Sequence, residues 1–211
     1  MSSRYVRSLA ETLHGLSQDG ISFRYMNRES SFVPSARELT ALDSDNPDWV
    51  TRELGSGKFT YDWVLWIDAD MVWTYEDIQK LLRSAELYTF VDSPKVISAL
   101  CISGPDRMTH VRRDRGDGFP EAMHADEFLL ESELMEVWGV GMAFLLVKSG
   151  VFESMPRPWF KIRHITWPHV GFETNVGEDL SWCISAREAG HQIWVDPLVR
   201  VGHHKSAIFR P

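Results

Sequence analysis

The chain has 211 residues, 44% apolar and 25% charged, with a net charge of −8, a balance that excludes wholesale disorder and argues against general affinity for nucleic acid. Its two cysteines, Cys101 and Cys183, exclude a disulfide scaffold and a four-cysteine zinc module. No apolar run reaches the roughly 20 residues of a membrane helix, and the opening MSSRYVRSLAETLHG lacks an apolar leader core, so a single non-spanning, cytoplasmic domain is expected.

In chain order, residues 4–18 read as an amphipathic helix with Val6, Leu9, Leu13 and Leu16 on its apolar face. Ile21, Phe23 and Tyr25 alternate with Ser22 and Arg24, as in a short strand. Ser35 is placed to cap a helix carrying Ala36, Leu39 and Leu42. Residues 43–57 are rich in turn formers and read as surface. The apolar run of residues 63–67, WVLWI, predicts a strand covered on both faces. It stops at Asp68 and Asp70. Thr74 caps a helix with Ile78, Leu81, Leu82 and Ala85 on one face, and residues 95–102 form a second apolar strand. Strand, helix, strand in that order implies a parallel α/β unit.

Residues 103–128 and 156–176 break the pattern and read as two irregular stretches. Residues 137–147 have strand character around Gly139 and Gly141, and Ser149 is placed to cap a short helix through Phe152. Residues 178–188 predict a helix stopped by Gly190. Short strands are expected at residues 193–195 and 198–201, and the chain closes with His203, His204 and Lys205.

Two carboxylates one residue apart at the C-terminal end of a buried strand lie where open α/β sheets bind ligands. Their oxygens suit Mg²⁺ or Mn²⁺ bridging to substrate phosphates. Solvated strand-end acids are the plain alternative. Glu178 and Asp179 open a helix, which suits either an N-terminal cap pair or a general base near an acceptor hydroxyl. A neutral imidazole of His203 or His204 is able to complete a carboxylate-bound metal site. Gly139 and Gly141 allow either close approach of a ligand or a tight bend. Arg37, on the polar side of its helix, is placed to meet a phosphate.

The ordered set is more specific than its parts: an apolar strand ending in Asp-x-Asp, a glycine pair, Glu-Asp at a helix start and a late histidine. With SARELTA and GEDLSWCISAREAG, it resembles the GT-A fold of nucleotide-sugar-dependent glycosyltransferases, closest to small bacterial and phage members of the family-two-like group. The resemblance spans about residues 5–205. It implies a mixed, mainly parallel sheet flanked by helices. It also implies a metal-dependent transfer of sugar from a nucleotide-diphosphate donor, a UDP-sugar being the expected one. Under it, Asp70 and His203 hold Mn²⁺ or Mg²⁺, with Asp68 at the ribose or reaching the ion through water. Gly139 and Gly141 border the donor sugar, Arg37 and Lys205 contact donor phosphate or sugar, Asp179 is the base and Glu178 meets the acceptor. The acceptor is a saccharide or hydroxymethylated phage DNA, with Arg112, Arg113, Arg163 and Trp167 on the acceptor side.

One departure stands out. Members of this fold usually begin with an apolar strand, whereas this chain starts at a helix, so the first strand is missing or replaced and an open nucleotide side is expected. Two other readings compete. Asp68-Ala69-Asp70-Met71-Val72 also fits a haloacid-dehalogenase-type phosphatase with Asp68 as nucleophile, and a degenerate transferase would be a non-catalytic sugar- or nucleotide-binding module.

Overall fold

A computed structural model describes residues 2–44, 51–87, 93–102, 104, 106–167, 169 and 171–204. The elements in chain order are α1 (Ser3–Gln18), α2 (Val33–Leu42), β1 (Trp63–Ile67), β2 (Met71–Val72), α3 (Tyr75–Leu87), β3 (Val96–Leu100), β4 (Met108–Asp114) and β5 (Pro120–His124). They continue with β6 (Met135–Val137), β7 (Phe144–Lys148), α4 (Val151–Ser154), β8 (Arg163–Trp167), β9 (Phe172–Val176), α5 (Glu178–Glu188), β10 (Ile193–Arg200) and β11 (Gly202–His203). Among the described residues no helix is long and apolar enough to cross a membrane.

Five strands form the central sheet in the order β1-β7-β3-β10-β6. The expected mainly parallel sheet is corrected: only β3 and β10 pair in parallel, and the other neighbours are antiparallel. The reason is an insertion. β1 and β3 do run in the same direction around α3, but β7 lies between them and is antiparallel to both. Its sequence, Phe-Leu-Leu-Val-Lys, is apolar enough to be covered on both faces. Phe144 and Leu146 face α1 and α3, while Leu145 and Val147 face the layer of α2, α4 and α5.

The two expected irregular stretches are β-hairpins. β4 pairs with β5 and β8 with β9, both antiparallel. In the first turn Asp114 Oδ1 accepts from the N–H groups of Gly116 and Gly118, and Asp117 Oδ1 accepts from Phe119 N–H. Side-chain carboxylates thus close a turn whose charge had suggested open loop. Other boundaries shift as well. Residues 21–30 form no strand. Phe32, not Ser35, precedes α2 as its cap position, and Gly150 takes that place before α4. Residues 138–143 divide the expected strand around the two glycines. The two short strands near the end are one, β10, with an irregular register between Asp196 and Arg200. Within residues 43–57, Asp43 and Leu54 are buried, while residues 45–50 lie outside the described residues.

α1 docks by a face that hydrophobicity alone does not select. Tyr5, Ser8 and Thr12 are buried, and Val6 is exposed. Trp73 decides this. Its N–H donates to Ser8 Oγ, its carbonyl accepts from the same hydroxyl at 2.6 Å, and its indole Nε1 donates to Thr12 Oγ1 at 2.8 Å. Buried main-chain and indole groups must find partners, so two hydroxyls outrank Val6 for the inner face. Thr12→Val keeps the shape and orphans the indole N–H, so it should lower unfolding free energy by about 1–3 kcal/mol in urea titration. An unchanged midpoint would show that water replaces the hydroxyl.

Candidate active site

The site forms where β1 ends. Asp68 N–H donates to Ala143 O, extending the β1–β7 ladder by one residue, and Met71 N–H donates back to Asp68 O. This tight turn leads into β2, which pairs with β11, setting His203 opposite Met71. The ladder brings His203 to Asp70: imidazole Nε2 and Asp70 Oδ2 are 2.7 Å apart. His204 N–H donates to Asp70 O, which fixes the register of the two histidines and turns His203 toward the carboxylate. His203 is largely buried and Asp70 half-exposed, so the pair opens to solvent through the acid.

Asp68 points elsewhere. Both of its oxygens accept from Arg37 Nη2 at 2.9 Å, and Arg37 Nη1 donates to Glu178 Oε1 at 2.9 Å. Arg37 is 8% exposed and joins α2, the β1 turn and the start of α5. Burial pushes the Asp68 carboxyl above the usual carboxylate range; Arg37 opposes this, and the negative charges of Asp70 and Asp179 add to the rise. Arg37, Asp68, Asp70, Glu178, Asp179 and His203 are therefore one electrostatic cluster assembled from four separate chain segments. Arg37, expected at the donor, also lines the cavity and holds two carboxylates of this chain.

Of the three residues expected at a metal, Asp70 and His203 meet, while Asp68 faces Arg37. Among the described residues no three His, Cys, Asp or Glu side chains form a ready group for an ion. Asp70 and His203 do suit one: an imidazole nitrogen and a half-exposed carboxylate meet at an open edge, and His203 Nδ1 is buried without a hydrogen-bond partner. That nitrogen–oxygen pair favours Mn²⁺ over Mg²⁺, which prefers oxygen alone.

The glycine pair serves packing inside the chain. A Cβ on Gly139 would lie 3.2 Å from Cys183 Cβ, and one on Gly141 would lie 2.7 Å from His110 Nδ1. A side chain at either position would thus meet α5 or β4. Cys183 itself is buried, with its thiol pushed up to about 12 by burial, and exchanges hydrogen bonds with Val140. Neither cysteine is bonded to another.

On the expected acceptor side the arginines divide. Arg113 pairs with Glu121 of its own hairpin and with Glu127 just beyond it, whereas Arg163 pairs with Glu188 and Ser185 and so ties β8 to α5. Arg112 is half-buried, and its main chain bridges to Gly139. Trp167, at the end of β8, packs against Phe119 at 5.4 Å and Trp138 at 6.0 Å. The tips of the two hairpins therefore meet in an aromatic group. Lys205 lies outside the described residues. Sequence reading missed His110, whose ring lies 5.5 Å from that of His203, and Tyr5, whose hydroxyl is held protonated by burial and by the nearby Tyr25 and Asp68. Nothing local marks either residue: His110 sits in a stretch that reads as irregular, and Tyr5 in a helix whose spacing says only helix.

Tyr5, Arg37, Asp68, Asp70 and His204 are among the residues that line a cavity of about 1220 Å³. No family model matches the chain. No curated protein matches it either. Among solved structures it is similar to A197 from STIV, at 18% identity and a TM-score of 0.50, over 95% of this chain and 90% of that one. At that identity the likeness is one of fold.

Proposed function

We propose that the chain is a metal-dependent glycosyltransferase that moves a sugar from a nucleotide-diphosphate donor to an acceptor hydroxyl. The observation that carries the reading is the Asp70–His203 pair. Two residues 133 positions apart meet at a strand end, beside Asp68, at the mouth of a cavity. Mn²⁺, or less favourably Mg²⁺, bound there would act as a Lewis acid on the diphosphate leaving group. The chain's own residues then have distinct parts. Asp70 and His203 would hold the ion. Arg37 orients Asp68 and Glu178 and offsets their charge from the cavity wall. Asp179, in the first turn of α5 and within electrostatic reach of Asp68, takes the proton from the acceptor hydroxyl. On the acceptor side stand Arg112 and the aromatic group of Phe119, Trp138 and the buried Trp167, whose rings are tilted by 55–69° to one another and suit contact with a sugar or base.

The phosphatase alternative needs Asp68 to attack phosphorus. Arg37 donates to both Asp68 oxygens, so Asp68 as a nucleophile would have to attack from its remaining lone pairs.

A panel of nucleotide sugars with Mn²⁺ should identify one donor whose nucleotide is released, with UDP-sugars tried first and saccharides or hydroxymethylated DNA as acceptors. Donor binding without release would assign a binding module instead. Aryl phosphate hydrolysis with no donor release would move the assignment to the phosphatase.

A further inference from the structure

β4 carries a histidine that has no part in the transfer proposed above. The ring of His110 stands 5.5 Å from that of His203, with the two planes inclined by 49°. Its main chain is fixed by the neighbouring glycine segment: Gly141 N–H donates to His110 O, and Arg112 N–H donates to Gly139 O at 2.8 Å. The ring itself lies over Gly141. A Cβ at that position would stand 2.7 Å from His110 Nδ1 and 3.1 Å from both Cβ and Cγ of the same residue. Any side chain at residue 141 would therefore push the imidazole away from its place. Gly141 and His110 are a fitted pair, and the ring they place lies against His203.

His203 has a specific need for such a neighbour. Its Nε2 is 2.7 Å from Asp70 Oδ2, and its Nδ1 is buried with no hydrogen-bond partner. An imidazole that ligates a metal is normally oriented by a hydrogen bond at its second nitrogen. His203 lacks that bond. The torsion that turns a histidine ring has broad wells, so without another restraint the ring plane is weakly defined. Packing must supply the restraint, and His110 is the ring packed there.

We infer that His110 is a positioning residue: seated on Gly141, it holds the His203 imidazole in the plane that sets Nε2 beside Asp70, and so sets how tightly this pair takes a divalent ion. Among the described residues His110 joins no group of three His, Cys, Asp or Glu able to hold an ion, so it acts through His203 and not as a ligand. The inference rests on the metal role proposed for Asp70 and His203. Because the restraint is packing, it depends on ring volume and place, not on the ring nitrogens.

Titration with Mn²⁺ followed by electron paramagnetic resonance tests this, since it reads the free ion and needs no turnover. His110→Ala should bind Mn²⁺ about tenfold more weakly than the wild type, the usual lower bound for losing an outer-shell partner. His110→Phe returns a ring and should restore most of the affinity. Gly141→Ala displaces the ring without deleting it, and should weaken binding as His110→Ala does; it carries the same comparison if His110→Ala does not fold. Affinity should follow ring placement across the three variants and not their Tm values. Wild-type affinity in both His110→Ala and Gly141→Ala would overturn the inference. So would a loss in His110→Phe equal to that in His110→Ala, which would give the role to a ring nitrogen. A wild-type protein that binds no Mn²⁺, or binding undiminished in Asp70→Asn, would remove the metal site itself and this inference with it.

Discussion

Asp70→Asn should lower donor turnover at least about 100-fold while leaving Tm nearly unchanged. The two halves of this expectation have separate causes. Asn retains the size of Asp but supplies a neutral amide in place of an anionic oxygen, so the pair with His203 loses its charge and much of its hold on a divalent ion. Loss of Lewis-acid stabilisation of the leaving diphosphate is worth several kcal/mol in the transition state, and each 1.36 kcal/mol is about a tenfold change in rate. Stability responds little because Asp70 is half-exposed and its carbonyl, not its side chain, anchors His204; such surface changes usually stay within about 0.5 kcal/mol. His203→Gln should reduce turnover in the same assay, and chelation of the wild-type protein should mimic both variants. Undiminished nucleotide release by Asp70→Asn, with the metal present, would remove this pair from the mechanism.

Arg37→Ala should destabilise the fold by about 3 kcal/mol, the lower end of what breaking a buried ion pair costs. The lower end applies because Asp68 keeps 32% and Glu178 19% of side-chain exposure, so water recovers part of the lost interaction. In a chain of this length that corresponds to a Tm lower by about 6–12 °C. The cost arises from what is left behind: two carboxylates, with Asp70 and Asp179 near Asp68, and no cation between them. Arg37→Lys should recover only part of the loss, since one ammonium cannot span both acids as the guanidinium fork does. Combining Arg37→Ala with Glu178→Gln and Asp68→Asn should be less destabilising than the sum of the three single changes, because the abandoned charges are gone. Urea titration of the five proteins measures this. Additive effects would mean that Arg37 contributes by packing alone.

These two expectations fall on residues that sequence reading singled out, but for Arg37 the fold added partners. As a cation on the polar side of a short helix it suggested a phosphate contact; in the fold its partners are Asp68 and Glu178, 31 and 141 residues away. Charge type is a property of the residue, whereas partnership is set by which elements the sheet brings together. The same holds for Gly139 and Gly141. Their lack of a side chain is visible in the sequence, yet only the packing of Cys183 and His110 says what occupies the space.

What the sequence by itself determined lies within single elements. The apolar run at β1, the acids that end it, the Thr74–Asp77 cap of α3 and the full extent of α5 are local, because hydrophobic run length, helical spacing and capping act over a few residues. Tertiary structure alone decided the rest: the insertion of β7 between β1 and β3, the face on which α1 docks, the folding of two charged stretches into hairpins and the meeting of Asp70 with His203. Strand order has no local signature, since an apolar strand is compatible with any neighbour until main-chain pairing and side-chain interdigitation choose one. Buried polar groups such as Trp73 Nε1 then select the hydroxyls that satisfy them, even where hydrophobicity favours a different face.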